Sequence, residues 1–205
     1  MGDIDTFSFT LGERTRVVLQ VTEIPPSSAA GWSPCLSLLP DLVGGREIAG
    51  GCDSYHPHVD VTLEPGTYFV VVSDQNNDQT GDYEILYQPL RPADAVVPVP
   101  DTPLAGRIDS PGDYDLYAFT LTERTRVRMQ VTELPPNGGG GWSPCLYLYA
   151  DDRGALPPSS IVGGCDSYHP AFDQLLDAGT YYVLVLEQNN YVLGDYELLY
   201  QRVGG

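Results

Sequence analysis

An all-β chain built of two tandem modules, each closing two sheets over one core, is what three observations predict. The first is an internal repeat: Gly31-Trp32-Ser33-Pro34-Cys35-Leu36 returns as Gly141 to Leu146, and Gly50-Gly51-Cys52-Asp53-Ser54-Tyr55-His56-Pro57 returns as Gly163 to Pro170. Repetition over most of the chain marks a duplicated unit, whose shared polar residues are the first candidates for a shared role. The second is a two-residue alternation of apolar and polar side chains, the period of a half-buried strand. The third is that no stretch has helical spacing long enough to compete.

The elements follow in order. Phe7, Phe9 and Leu11 alternate with Ser8 and Thr10, and Val17, Leu19 and Val21 alternate with Val18, Gln20 and Thr22. Tyr117, Phe119 and Leu121, then Val127, Met129 and Val131, repeat the pattern in the second copy. Further strands are expected at Cys35 to Leu39, His58 to Leu63, Thr67 to Ser73 and Asp82 to Gln88. Their counterparts are Cys145 to Tyr149, Ala171 to Leu176, Thr180 to Glu187 and Asp195 to Gln201. Glu64-Pro65-Gly66 and Asp177-Ala178-Gly179 supply turns before the most apolar runs. Domain one is placed at 1–90 and domain two at 104–205, joined by 91–103, where Pro92, Pro98, Pro100 and Pro103 favour a stiff, extended spacer. The spacer is expected to pack partly against the modules, with Val96, Val97 and Val99 suited to an edge strand.

Each module holds two cysteines, Cys35 with Cys52 at a separation of 17 and Cys145 with Cys165 at 20. Cysteines at the ends of consecutive β-segments fit an intramodule disulfide better than free thiols or zinc, whose compact Cys-x-x-Cys spacing is missing. Each bridge would contribute about 3 kcal/mol by chain entropy and implies an oxidising, extracellular setting. The longer second segment is where a surface loop absorbs extra residues. The opening Met1-Gly2-Asp3-Ile4-Asp5 carries no leader pattern and reads as a mature region or processed fragment. No apolar run is long enough to insert in a membrane.

All 10 Lys+Arg residues are arginine, against 28 acids, for a formal charge of −18. So acidic a surface repels nucleic acid and anionic membranes. The 14 tyrosines divide by alternation into buried ones, such as Tyr68 or Tyr182, and outward ones, such as Tyr147 or Tyr149, and exposed tyrosine suits adhesion.

Gly112-Asp113-Tyr114-Asp115-Leu116-Tyr117-Ala118-Phe119-Thr120-Leu121, Cys145-Leu146-Tyr147-Leu148-Tyr149, Ala178 to Val185 and Gly194-Asp195-Tyr196-Glu197-Leu198 resemble the bacterial pre-peptidase C-terminal domain. The resemblance covers nearly the whole chain and implies tandem jelly-roll-like β-sandwiches of the kind appended to secreted peptidases, similar to collagenase collagen-binding domains. It also implies calcium at acidic residues, here Asp3, Asp5 and Asp53, then Asp113, Asp115 and Asp166. The chain departs from the family where members often show Asn-Asp-Asp, since Gly51-Cys52-Asp53 and Gly164-Cys165-Asp166 retain one carboxylate each. Calcium needs six to eight hard oxygens, and the same carboxylates serve equally as turn acceptors.

A ligand surface is expected where Trp32 meets Asp53, Tyr55 and His56, and again where Trp142 meets Asp166, Tyr168 and His169. A disulfide would bring the two flanking segments together, setting an aromatic platform beside a carboxylate and an imidazole. The alternative is that each tryptophan covers the end of a core and each His-Pro is a turn. Catalysis is disfavoured: Ser54 and His56 would share one face of a strand with Asp53 opposite, and no Gly-x-Ser-x-Gly, His-Glu-x-x-His or nucleotide fingerprint is present.

The reading is a secreted, non-catalytic tandem module that binds an extracellular protein or polysaccharide with avidity from its two copies. The alternatives are a structural subunit of an extracellular assembly and an accessory tail of an exported hydrolase. Residues Pro103 to Ser110 resemble a first strand that module one lacks. Such a gap exposes unpaired backbone groups to be filled by Ala95 to Val99, by a strand of a neighbouring chain with self-association through the edge, or by residues that precede this stretch in a longer chain; the alternative is that module one tolerates a short edge.

Overall fold

The computed structural model describes residues 2–24, 32–53, 56–135, 142–151, 156, 159–166 and 168–203. The chain divides into two compact units, Met1–Pro89 and Leu90–Gly205. Apart from a 3₁₀ turn at Pro92–Asp94, every regular element among the described residues is a strand.

In the first unit β1 (Ile4–Leu11), β2 (Thr15–Ile24), β3 (Pro34–Leu39), β4 (Ala49–Cys52), β5 (His58–Leu63), β6 (Gly66–Asp74) and β7 (Asp82–Leu90) form two sheets. One runs β1-β6-β3-β4 and the other β5-β2-β7. Strands β4 and its counterpart below escaped the sequence reading because Ala49-Gly50-Gly51-Cys52 has no alternation to detect. The second unit opens with β8 (Leu104–Ile108), then β9 (Tyr114–Leu121), β10 (Thr125–Leu134), β11 (Pro144–Ala150), β12 (Val162–Cys165), β13 (Ala171–Leu176), β14 (Gly179–Glu187) and β15 (Gly194–Val203). Its sheets are β9-β14-β11-β12 and β13-β10-β15-β8.

Each unit is a sandwich with one core drawn from both sheets. Val17, Leu19 and Val21 of β2 meet Leu36, Leu38, Val70 and Val72 in the first. Val127, Met129 and Val131 of β10 meet Leu146, Leu148, Val183 and Val185 in the second, which also enlists Ile108, Tyr117, Phe119, Tyr196, Leu198 and Tyr200. The alternation that predicts the strands therefore also selects the core faces.

Two differences separate the units. First, β8 pairs with β15 antiparallel, Leu104 opposite Leu198 and Ile108 opposite Gly194, whereas β7, the counterpart of β15, is the edge of a three-stranded sheet. Second, Val96 forms a parallel bridge with Tyr117: its N–H donates to Leu116 O at 3.0 Å and its carbonyl accepts from Ala118 N at 2.9 Å. Val96, within the Ala95 to Val99 segment expected as one filler for the first module, is thus engaged at β9 of the second.

The tyrosine reading needs one correction. Tyr68 and Tyr182 are buried and Tyr147 is half-buried, but Tyr149 is buried too. Its partner across the ladder is Tyr182. The outward face is covered there, and Leu156 of the longer inter-cysteine segment is buried as well.

Candidate functional site

Strand register collects the repeated polar residues at one end of each sandwich. In the second unit Pro144 opens β11 opposite Glu187 at the close of β14, Cys165 closes β12 opposite Cys145, and Tyr114 opens β9 opposite Leu186. The segments after β8, β10, β12 and β14 therefore emerge at the same end. The first unit repeats this with Pro34 opposite Asp74, Cys35 opposite Cys52 and Ile4 opposite Ser73.

Both disulfides form within their modules. Cys35–Cys52 and Cys145–Cys165 link directly opposed residues with Cα atoms 4.0 and 3.9 Å apart, tying β4 and β12 to their sheets. Immediately beyond the second bridge, Asp166 Oδ1 accepts the backbone N–H groups of Tyr168 at 3.0 Å and His169 at 3.2 Å. These two bonds, that from Tyr168 foremost, hold the Asp166 carboxyl below its ordinary range. His169 Nδ1 lies 2.6 Å from the Tyr168 carbonyl, a contact that places a proton on Nδ1 for donation to that oxygen. Tyr168 is 44% exposed beside this ring, with centroids 6.3 Å apart in an edge geometry. The first unit has the same turn in looser form, His56 N–H donating to Asp53 Oδ1 at 3.4 Å. Ser54, Tyr55 and Ser167 lie outside the described residues.

The tryptophans do not form the stacking platform expected beside these turns, because both indoles are buried. Trp32 leans on Tyr83 and Trp142 on Tyr196, each with ring centroids 6.1 Å apart. A Cβ at Gly81 or Gly194 would collide with the indole, so glycine there permits the strand to approach the ring. These residues close the end of each core, the alternative reading of the sequence.

Among the described residues no three His, Cys, Asp or Glu side chains converge as a metal ion requires. The carboxylates expected to hold calcium are engaged separately and do not fit it. Asp3 accepts the N–H of Ile4, Asp5 accepts the Tyr83 hydroxyl at 2.6 Å, and Asp113 accepts the N–H of Asp109 at 3.2 Å. Asp115 accepts the Tyr196 hydroxyl at 2.5 Å, and that oxygen lies 2.7 Å from the Tyr117 hydroxyl. Burial, reinforced by the neighbouring Asp113 and Asp109 charges, pushes the Asp115 carboxyl up to about 6, and burial pushes Tyr117 up to about 12.

Sequence reasoning missed a second pair of carboxylates. Buried Glu187 accepts backbone N–H groups from Asn189 at 2.9 Å, Tyr191 at 3.2 Å and Val192 at 3.4 Å. Its counterpart Asp74 accepts those of Ser33, Asn76, Asp78 and Gln79. Asn77 and Asn190 take positive φ in the same turns, as asparagine tolerates. The repeated Gln75-Asn76-Asn77 and Gln188-Asn189-Asn190 are the signal that would have revealed these loops. The Glu187-anchored loop presents Tyr191, 51% exposed, and Leu193, whereas the first unit has Asp78 and Thr80 at those places.

No family model matches the chain, and no curated protein matches it. Among solved structures it is similar to the pre-peptidase C-terminal domain of collagenase from Bacillus anthracis, at 20% identity and TM-score 0.44 over 55% of this chain and 99% of that one. The PBSX exported protein XepA aligns at 11% identity and TM-score 0.32, over 98% of this chain and 86% of that one. The M60 catalytic domain with two CBM51 domains of Clostridium perfringens ZmpB aligns at 8% identity and TM-score 0.28, over 97% of this chain and 33% of that one.

Proposed function

We propose that this chain is a secreted, non-catalytic tandem module that adheres to an extracellular polymer through the loop-bearing ends of its sandwiches. The observation that carries the reading is the pair of exposed tyrosines, Tyr168 and Tyr191, on turns pre-organised by the carboxylates of Asp166 and Glu187. A rigid aromatic face next to an imidazole suits sugar rings or peptide planes, and it costs little conformational entropy on binding. His56 and Asp53 offer a smaller version in the first unit, so two unequal sites on one chain would raise effective concentration on a repetitive target.

One further observation supports an extracellular setting. Each module is closed by a disulfide, the chemistry of an oxidising compartment. Among the described residues no helix is long and apolar enough to cross a membrane. The jelly-roll strand order implied by the resemblance is part of the same proposal.

Retention on insoluble collagen, chitin and cellulose tests it. The wild-type chain is expected to bind one of these matrices, and the Tyr168→Ala/Tyr191→Ala double variant to bind it about tenfold more weakly. Its melting temperature should be unchanged, because both rings are exposed. No retention on any matrix, or equal retention of the variant, would refute the reading.

A further inference from the structure

The outer face of the second sandwich gathers positive charge on a chain that is acidic as a whole. Arg126 and Arg128 stand two residues apart on β10, so they share one face about 6.7 Å apart along the strand. Asp173 of β13 accepts from both: its Oδ1 takes Arg126 Nε at 2.6 Å and its Oδ2 takes Arg128 Nη2 at 2.9 Å. One carboxylate thus holds two guanidinium groups, and both arginines stay exposed. Each keeps further N–H donors beyond the one it gives to Asp173.

The surrounding groups add to this charge more than they cancel it. Arg124 meets exposed Asp177 at 3.4 Å. Arg202 donates from Nε to the Tyr200 hydroxyl at 2.7 Å and from Nη2 to the Thr120 carbonyl at 3.1 Å, both neutral acceptors. Arg124, Arg126 and Arg202 line one groove of about 500 Å³, in which Glu123 is the single acid among the described residues. Leu175, opposite Arg126 across the ladder, is exposed in the same groove. The first unit has no such surplus: buried Arg16 forks onto both oxygens of Asp60 at 2.7 Å, Val18 stands at the place of Arg128 and Pro89 at that of Arg202.

We infer that this face binds the oxyanion groups of an acidic polysaccharide, a sulfate ester or uronate carboxylate seated between Arg126 and Arg128, with Arg124 and Arg202 at its flank. Guanidinium matches such anions through paired N–H bonds. Asp173 fixes the spacing of the two cations before the ligand arrives, which lowers the ordering cost of binding. β10 lies between β13 and β15, so its backbone is already paired and cannot add a peptide strand; recognition is left to side chains. A glycan that carries one anion per ring suits two cations held at a constant interval, and Leu175 meets the C–H face of the ring. A chain of net charge −18 repels long polyanions, so the ligand is a short segment that meets this face alone. The site stands at the start of β10, the end of the sandwich opposite Tyr168 and Tyr191, and the inference does not rest on the loop-end reading.

The probes are short sulfated dextran and oligogalacturonate, titrated calorimetrically into the full chain at low salt, with uncharged dextran and oligoglutamate alongside. At least one anionic glycan is expected to bind, and the Arg126→Ala/Arg128→Ala variant to bind it about tenfold more weakly. The Arg46→Ala/Arg107→Ala variant removes the same charge elsewhere on the surface and should bind as wild type does, as should Tyr168→Ala/Tyr191→Ala. All four arginines are exposed, so each variant should melt close to wild type. The preference between the two glycans assigns the anion to sulfate or to carboxylate. No binding of either glycan, or an equal loss in the Arg46/Arg107 variant, would overturn the inference. Oligoglutamate bound as tightly as the glycans would assign the face to acidic peptides and overturn the choice of ligand.

Discussion

The two modules share a strand order, a disulfide and a core, yet matched residues have opposite fates. Tyr200 is 1% exposed and its counterpart Tyr87 is 39% exposed; Tyr117 is 4% exposed and Phe7 is 41%. The aromatic contacts barely differ, with Phe119 to Tyr200 at 4.9 Å and Phe9 to Tyr87 at 4.6 Å. What differs is the covering chain: β8, Asp101 with its N–H on the Tyr200 carbonyl, and the Val96 bridge flank the second sandwich, while among the described residues β1 and β7 end their sheets in the first. Burial in a sandwich is thus decided as much by the strand that closes its side as by the apolar residue itself.

The largest test of this contrast is truncation of the matched tyrosines. Tyr200→Ala removes a buried ring and should cost about 3–5 kcal/mol, whereas Tyr87→Ala should cost about 1 kcal/mol or less. Module-resolved hydrogen exchange reads both. Equal costs would mean that the closing strand does not set burial.

A smaller effect is expected at the hydroxyls. Tyr196→Phe leaves Asp115 and Tyr117 without their shared partner in a buried network and should cost about 1–3 kcal/mol. Tyr83→Phe deletes one bond to exposed Asp5 and should cost under about 1 kcal/mol. Urea melts of the two variants check the order, and the reverse order would break the comparison.

The smallest effect is a dependence on pH. Burial raises Asp115 from 3.8 to about 6, so the folded state keeps this proton at pH values where the unfolded chain has released it. The stability contributed by the neutral carboxyl is complete below the unfolded value and is lost as pH rises through about 6. Asp115→Asn should therefore melt close to wild type at pH 4 and a few degrees above it at pH 7.5, with Asp5→Asn as the exposed reference. A difference that is the same at both pH values would show that Asp115 is not desolvated by its closed module.

Several features were legible from residues alone because their causes are local. His58 to Leu63 and Ala171 to Leu176 match the observed strands end for end, since alternation is written in neighbouring side chains. The cysteine pairs were readable because each falls at the ends of consecutive β-segments. The tryptophans were not: Gly81 and Gly194, which let the indoles sink into the core, are far from them in sequence. Tyr191 escaped for a similar reason, its exposure depending on a turn anchored by buried Glu187.

By itself the sequence determined that this protein is a duplicated all-β chain, because repetition and a period of two survive without any knowledge of packing. It also marked the acidic composition. Tertiary structure alone decided that Val96 joins β9, that among the described residues no three of the expected calcium carboxylates converge as a metal ion requires and that Tyr149 is covered. Each of these depends on which strands become neighbours, and pairing between segments distant along the chain is set by the closing of sheets over a core, a free energy that no short stretch of residues contains.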